Sequence, residues 1–282
     1  MKFKHDFSQL FVPDGLAAEA ALARTTHMAV SAHQDDLEIM AVDGVLQCFQ
    51  RDDQWFTGVV VTNGAGSPRS GLYERYTDEE MQVVRAKEQK KAAVLGEYAA
   101  QALLGYTSAA VKDRLNPDPI DDLVTLFTLA KPKTVYTHNL ADKHPTHVGV
   151  AVRVIEALRK LPAPARPQQL YGCEVWRDLD WMVDTDKVVF DLSAQEAVQA
   201  ALLGVFDSQV SGGKRYDLAT MGRRRAHATY YASHGTDVTT GLSFGMDLTP
   251  LITDPTRDIL AYVQSYVDRF AQDVRALIAG VL

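Results

Sequence analysis

In "MAVSAHQDDLEIM", residues 28–40, a short apolar run ends at Ala32 and gives way to an imidazole, an amide and two adjacent carboxylates, His33, Gln34, Asp35 and Asp36. The run 28–32 has the length of a buried strand, and 37–50 carries apolar residues at helical spacing. The polar cluster therefore sits on a strand-to-helix turn. Taken alone, an Asp-Asp pair opening a helix is cap and dipole chemistry, so the rest of the chain has to decide what the turn is for.

Outward from that turn the pattern alternates. Strands are predicted at 28–32, 57–62, 101–105 and 134–138, and helices at 37–50, 78–97, 118–130 and 146–160. Strand–helix alternation implies right-handed crossovers and a mostly parallel sheet, an α/β Rossmann-like three-layer sandwich. "KLPAPARPQQ", 160–169, reads as an extended connection because its prolines forbid helix. Further strands are predicted at 169–176 and 187–192, then a helix from Ser193, with Glu196 completing a capping box. Residues 210–254 show little periodicity and read as a long loop region that could form part of a pocket wall. A last helix at about 256–279 carries Ile259, Val263, Tyr266, Val267, Phe270, Val274 and Leu277 on one face, suited to a core or a subunit interface. The expectation is a single domain over 1–282, with a core at about 27–210 and a loop-rich C-terminal extension at about 210–282 that ends in this helix.

Bulk composition narrows the function classes. Net charge is −7 with the two signs interspersed, which argues against nucleic acid as a partner, since such binders carry a basic face. No run approaches the ~20 apolar residues of a membrane span, and "MKFKHDFSQLFVPDG" has no apolar signal core. Cys48 and Cys173 stand far apart in no CxxC pattern, as expected of buried, reduced thiols. These readings predict a cytoplasmic protein that acts on a small molecule, with a homo-oligomer the one partner suggested by the final helix.

In a doubly wound sheet the first four strands commonly order 3-2-1-4, and ligands bind where strands 1 and 4 diverge. Strand 1 ends in His33–Asp36; strand 4 ends in "THNLADKHPTHVGVAV", with His138, Asp142, His144 and His147. Two polar clusters about a hundred residues apart should thus face each other across one crevice. His33 and Asp36, three apart, can both reach one ion from the turn. His147, in the first turn of a helix that Pro145 opens, can supply a third ligand, the donor set of a catalytic zinc. Asp35 is then a free carboxylate suited to general-base work, and His144 a donor for an oxyanion or an acid for a leaving amine. The chain contains no HExxH, P-loop or complete GxGxxG.

These residues resemble the PIG-L and LmbE-like zinc-dependent deacetylases, whose signatures AHPDD(x)E and HPDH read here as "AHQDDLE" (32–38) and "HPTH" (144–147). Similarity extends to "VVTNGAG" (60–66), "RAKEQKKAAVLG" (85–96) and "FDSQ" (206–209). The resemblance implies zinc held by His33, Asp36 and His147; such a donor set can also accept Fe(II) or another divalent ion. It implies Asp35 as general base, His144 as electrostatic or acid partner, and Arg85 and Asn63 at the substrate. The implied reaction removes an N-acetyl or N-acyl group from a small molecule, typically an amino-sugar derivative. Gln34 stands where the family has proline, Thr146 where it has aspartate between the histidines, and Thr107-Ser108 where many members place a sugar-binding aspartate. Alternatives are an amidase acting on a larger conjugate, or a non-catalytic metal- or ligand-binding protein on the same fold. Arg223–Arg225, His227 and His234 read as solvated surface, with contact to an acidic substrate group as the alternative.

Overall fold

All five residues His27–Ser31 are buried, as a strand with neighbours on both edges and layers on both faces must be. The computed structural model describes residues 2–282; Met1, which opens the N-terminal stretch read above, lies outside the described residues. Its strands are β1 (Gln9–Phe11), β2 (His27–Ser31), β3 (Phe56–Thr62), β4 (Ala100–Tyr106), β5 (Thr134–His138), β6 (Gln169–Cys173), β7 (Lys187–Asp191) and β8 (Leu242–Asp247). They form one sheet in the order β1-β4-β3-β2-β5-β6-β8-β7. Pairing is parallel from β4 through β6 and antiparallel for β1, β8 and β7. The predicted 3-2-1-4 order is therefore present as β4-β3-β2-β5. His33 and His144 follow adjacent strands at the point where the winding reverses.

The helices are α1 (Ala18–Ala23), α2 (Asp36–Met40), α3 (Val42–Cys48), α4 (Asp78–Leu95), α5 (Ser108–Lys112) and α6 (Asp118–Ala130). They continue with α7 (Pro145–Lys160), α8 (Glu196–Gly204), α9 (Asp207–Val210), α10 (Tyr216–Tyr230), α11 (Pro250–Thr253) and α12 (Ile259–Ala279). Strand side chains alternate between two cores. Met28 and Val30 pack with α1, α6 and α7, and Ala29 packs with α2, α3, α4 and α8. Helices cover both faces, giving three layers.

Several expectations are corrected. The helix predicted at 37–50 breaks at Ala41, whose ψ is 21°. Arg224, from α10, donates to the carbonyls of Glu38 and Ile39 at 2.9 and 3.2 Å, the acceptors that a continuous helix would offer to residues 42 and 43. Ser193 does not cap α8. Its hydroxyl donates to Asp191 at 2.6 Å, and the helix starts after Gln195, which is left-handed at φ 55°. A true capping box occurs instead at Thr77 and Glu80, opening α4. The segment 160–169 contains a single 3-10 turn, Ala163–Ala165. The strand predicted at 169–176 leaves the sheet after Cys173.

The largest correction falls on 210–254, which holds α10, β8 and α11 rather than a long loop. The buried stripe of α10 is Thr220, Arg224, His227 and Ala228; it has helical spacing, but mostly polar side chains occupy it. Arg224 and His227 are thus buried structural residues rather than solvated or substrate-facing ones. His227 Nε2 lies 3.1 Å from Glu174, which also accepts the N–H groups of Leu179 and Phe244. That carboxylate joins α10 and β8 to the end of β6. On α12 only Tyr266 is buried, with Ile259, Tyr262 and Val263 packed against the core; residues 272–282 are exposed.

Candidate metal centre

The turn between β2 and α2 is strained. Asp35 has φ 89°, a value that non-glycine residues adopt only when the surroundings impose it. This geometry turns Asp36 back under the loop, where its Oδ2 accepts the His33 N–H at 2.7 Å. The same oxygen lies 3.2 Å from His33 Nδ1 and 3.3 Å from His147 Nε2, and those two nitrogens are 3.1 Å apart. Bonds of about 2.05 Å in a tetrahedral zinc site place two ligand atoms about 3.3 Å apart. A carboxylate and two imidazoles already at this spacing therefore fit a divalent ion in both geometry and donor chemistry.

Two other groupings touch the same point: His33, His144 and His147, and Asp36, His138 and His147. His138 is not free at Nε2, which accepts the Ala32 N–H at 2.8 Å. Its ring instead stacks on His147 at 3.9 Å and 17°, which makes it a wall behind the ligand. His147 is set from its other side by Asp142, whose Oδ2 lies 3.4 Å from Nδ1. Asp142 also accepts the backbone N–H groups of His144 and Trp176 at 2.9 and 3.1 Å. A carboxylate behind a metal-facing histidine fixes the ring and its tautomer. Asp142 appeared in sequence only as one acid of a polar cluster; its position two residues before His144 was the available signal.

The electrostatics separate the two neighbouring carboxyls. Burial works to raise Asp36, but His147, His33 and His138 override it and hold that carboxyl well below the usual range. Burial pushes Asp35 up to about 6, with Arg85 opposing the rise and the Asp36 charge adding to it. His144 is pushed down to about 4 by burial and by the neighbouring His147 and His33. His138 is also held neutral, chiefly by burial, whereas Asp36 and Asp142 raise His147 against its burial.

A cavity of about 350 Å³ opens over the cluster, lined by His33, Asp35, Asp36, Asn63, Arg85 and His144 among others. The sequence-predicted residues thus come together, with His147 buried beneath them at 0% exposure. Arg85 is only 1% exposed. Its guanidinium donates to the Gln34 carbonyl and lies 3.2 Å from Asp35 and 3.5 Å from Glu88. Asn63 Oδ1 accepts the Ala65 N–H at 3.1 Å, shaping the turn after β3. Gln34 donates to the Thr62 carbonyl at 3.2 Å, so the residue in the proline's place pins the loop to β3. Ser108 reaches the cavity, whereas Thr107 caps α5; Thr146 is buried in the first turn of α7. Val175, Trp176, Gln209, Lys214 and Tyr216 also line the cavity; Lys214 and Tyr216 fall in the 210–254 segment expected to wall a pocket, whereas Val175 and Trp176 were not anticipated. Lys214 Nζ lies 5.0 Å over the Trp176 ring.

Fold and cluster together define an α/β protein with a His and Asp cluster, able to hold a metal ion, at the switch point of its sheet. Residues 28–158 match the model of the PIG-L family, described as GlcNAc-PI de-N-acetylase. Among solved structures, the conserved protein TT1542 from Thermus thermophilus is similar at 17% identity, covering 83% of this chain and 99% of that one, with a TM-score of 0.60. N,N'-diacetylchitobiose deacetylase from Pyrococcus horikoshii is 16% identical over 78% of this chain and 83% of that one, TM-score 0.57. GalB, the 4-carboxy-2-hydroxymuconate hydratase from Pseudomonas putida, is 14% identical over 79% and 96%, TM-score 0.58. At these identities the likeness is one of fold, and the fold carries both a deacetylase and a hydratase. No curated protein matches the chain in sequence.

Proposed function

We propose that this protein is a metal-dependent hydrolase that removes an acetyl group from the nitrogen of an amino-sugar-like small molecule. The observation that carries the reading is the convergence of His33 Nδ1, Asp36 Oδ2 and His147 Nε2 at 3.1–3.3 Å beneath an open cavity. These residues hold the ion. Zinc suits the donor set, and Fe(II) is the substitute the same donors accept. The chemistry a divalent ion supplies there is Lewis acidity, which polarises an amide carbonyl and makes water acidic enough to attack near neutral pH.

Asp35, with its proton affinity raised to about 6, is mostly ionised at neutral pH yet basic enough to take a proton from attacking water. Arg85 keeps that carboxylate in place through its 3.2 Å contact. His144, held neutral at about 4, has a buried Nδ1 without a protein partner and serves as an N–H donor to the oxygen that gains charge. Asn63 and Ser108 offer polar contacts, and Trp176 and Tyr216 offer aromatic faces for a sugar ring. The amino-sugar class is supported by the family description and by the chitobiose deacetylase among the fold relatives. A cytoplasmic setting is supported by the two buried, unpaired thiols; no described helix is long and apolar enough to cross a membrane.

The test pairs metal analysis with acetate release from N-acetylglucosamine derivatives. Wild type is expected to hold about one ion per chain and to release acetate, and His147→Ala to lose both. Retention of metal and hydrolysis by His147→Ala would overturn the assignment.

A further inference from the structure

We propose that Gln89 is a positioning residue which, with Arg85, clamps the Gln34–Asp35 peptide and so holds Asp35 in its positive-φ conformation. The inference rests on the reading of Asp35 as general base. Residues 85 and 89 stand one turn apart on α4 and face the same way; they are 1% and 0% exposed. Arg85 Nη2 donates to the Gln34 carbonyl, and Gln89 Oε1 accepts the Asp35 N–H at 3.3 Å. Both polar groups of one peptide unit therefore end on one face of one helix.

The amide of Gln89 can point only one way. Its Nε2 donates to Glu38 Oε1 at 2.8 Å and to Gln101 Oε1 at 3.3 Å. Exchanging the amide's oxygen and nitrogen would set its NH₂ against the Asp35 N–H, donor against donor. Glu38 is fixed in turn by the Tyr98 hydroxyl at 2.9 Å, and Gln89 and Glu38 are fully buried while Tyr98 is 1% exposed. Rotation of the 34–35 peptide would leave its N–H and C=O without partners in a turn where Gln34 and Asp35 are buried, which is strongly disfavoured. Without Gln89 that restraint is halved. The strained φ of 89° can then relax, and relaxation swings the Asp35 carboxyl away from the cavity. Displacements near 1 Å in a reacting group lower rates by about 100-fold.

The experiment compares wild type, Gln89→Met and Asp35→Asn by kinetics, metal content and amide hydrogen exchange at Asp35. Gln89→Met is expected to lower kcat by 10- to 100-fold, leave KM and metal stoichiometry within twofold, and accelerate exchange of the Asp35 amide. A merely structural role would lower the melting temperature without that kcat-against-KM split. Gln89→Met turnover within twofold of wild type, beside an inactive Asp35→Asn, would overturn the clamp while leaving the base assignment standing. Wild-type exchange is a measurement that needs no variant: an Asp35 amide exchanging at the rate of an unstructured chain overturns the proposal. If wild type shows no hydrolysis, the functional reading fails by itself, and the exchange rates still decide the clamp.

Discussion

Asp142 offers a sharp test of how the proposed metal centre would be held. It contacts no cavity and no candidate ligand atom, yet it faces His147 Nδ1 at 3.4 Å and accepts the N–H groups of His144 and Trp176. Removing it by Asp142→Ala frees the His147 ring to rotate and to change tautomer, while Asp36 and His33 keep their places. Loss of such a supporting carboxylate weakens metal binding by about 10- to 100-fold, or roughly 1.4–2.7 kcal/mol. Because bound metal stabilises only the folded chain, the zinc-dependent part of the stability should fall by the same amount. For a chain of this size that corresponds to roughly 2–5 °C of the zinc-induced rise in Tm. The assay is a competition titration with a chromophoric chelator, run beside thermal melts with and without zinc. Asp142→Asn, which keeps an acceptor oxygen, should fall between the two. A zinc affinity for Asp142→Ala within twofold of wild type would refute the reasoning, since His147 would then need no support to act as a ligand.

Two further outcomes follow from the same geometry. Asp35→Asn should retain one ion per chain and lose about 10²- to 10⁴-fold in turnover, the usual contribution of a general base; loss of the ion would mean that Asp35 is a ligand instead. Glu38 is fully buried, and burial pushes its carboxyl up to about 8 from an ordinary 4.5. The folded chain therefore keeps a proton that the unfolded chain releases, so this group's effect is to lower stability as pH rises from about 4.5 to about 8. The steepest slope is about 1.4 kcal/mol per pH unit. Glu38→Gln should flatten that decline in urea titrations across the window, and an unchanged slope would show that Glu38 is ionised in the fold.

Much of the site was legible because it depends on local pattern. The apolar run 28–32, the helix after it and the strand ending at His138 are periodicities that a chain displays residue by residue. Once these elements alternate, crossover handedness and the switch-point rule bring His33 and His147 together without further information. The Asp-Asp pair and the two histidines of "HPTH" are likewise short-range features, and the donor chemistry follows from residue type.

What was not legible depends on contacts between distant residues that leave no period behind. The break at Ala41 comes from Arg224, more than 180 residues away in sequence, taking helix carbonyls. The helix that carries Arg224 escaped notice because its buried stripe is mostly polar, and polar burial becomes favourable only when partners such as Glu174 and Gln199 are in place.

By itself, then, the sequence determined the order of the central strands and the two loops that meet at their ends, because hydrophobic period and chain connectivity are local properties. Only the tertiary structure decided the conformation of Asp35, the support of His147 by Asp142, and the wall that Trp176 and Tyr216 build over the cavity. Asp35 is held by Gln89 and Arg85 from α4, Asp142 is tied to Trp176 as well as facing its near neighbour His147, and Trp176 and Tyr216 meet at the cavity from separate segments. Such contacts exist only once the sheet has assembled.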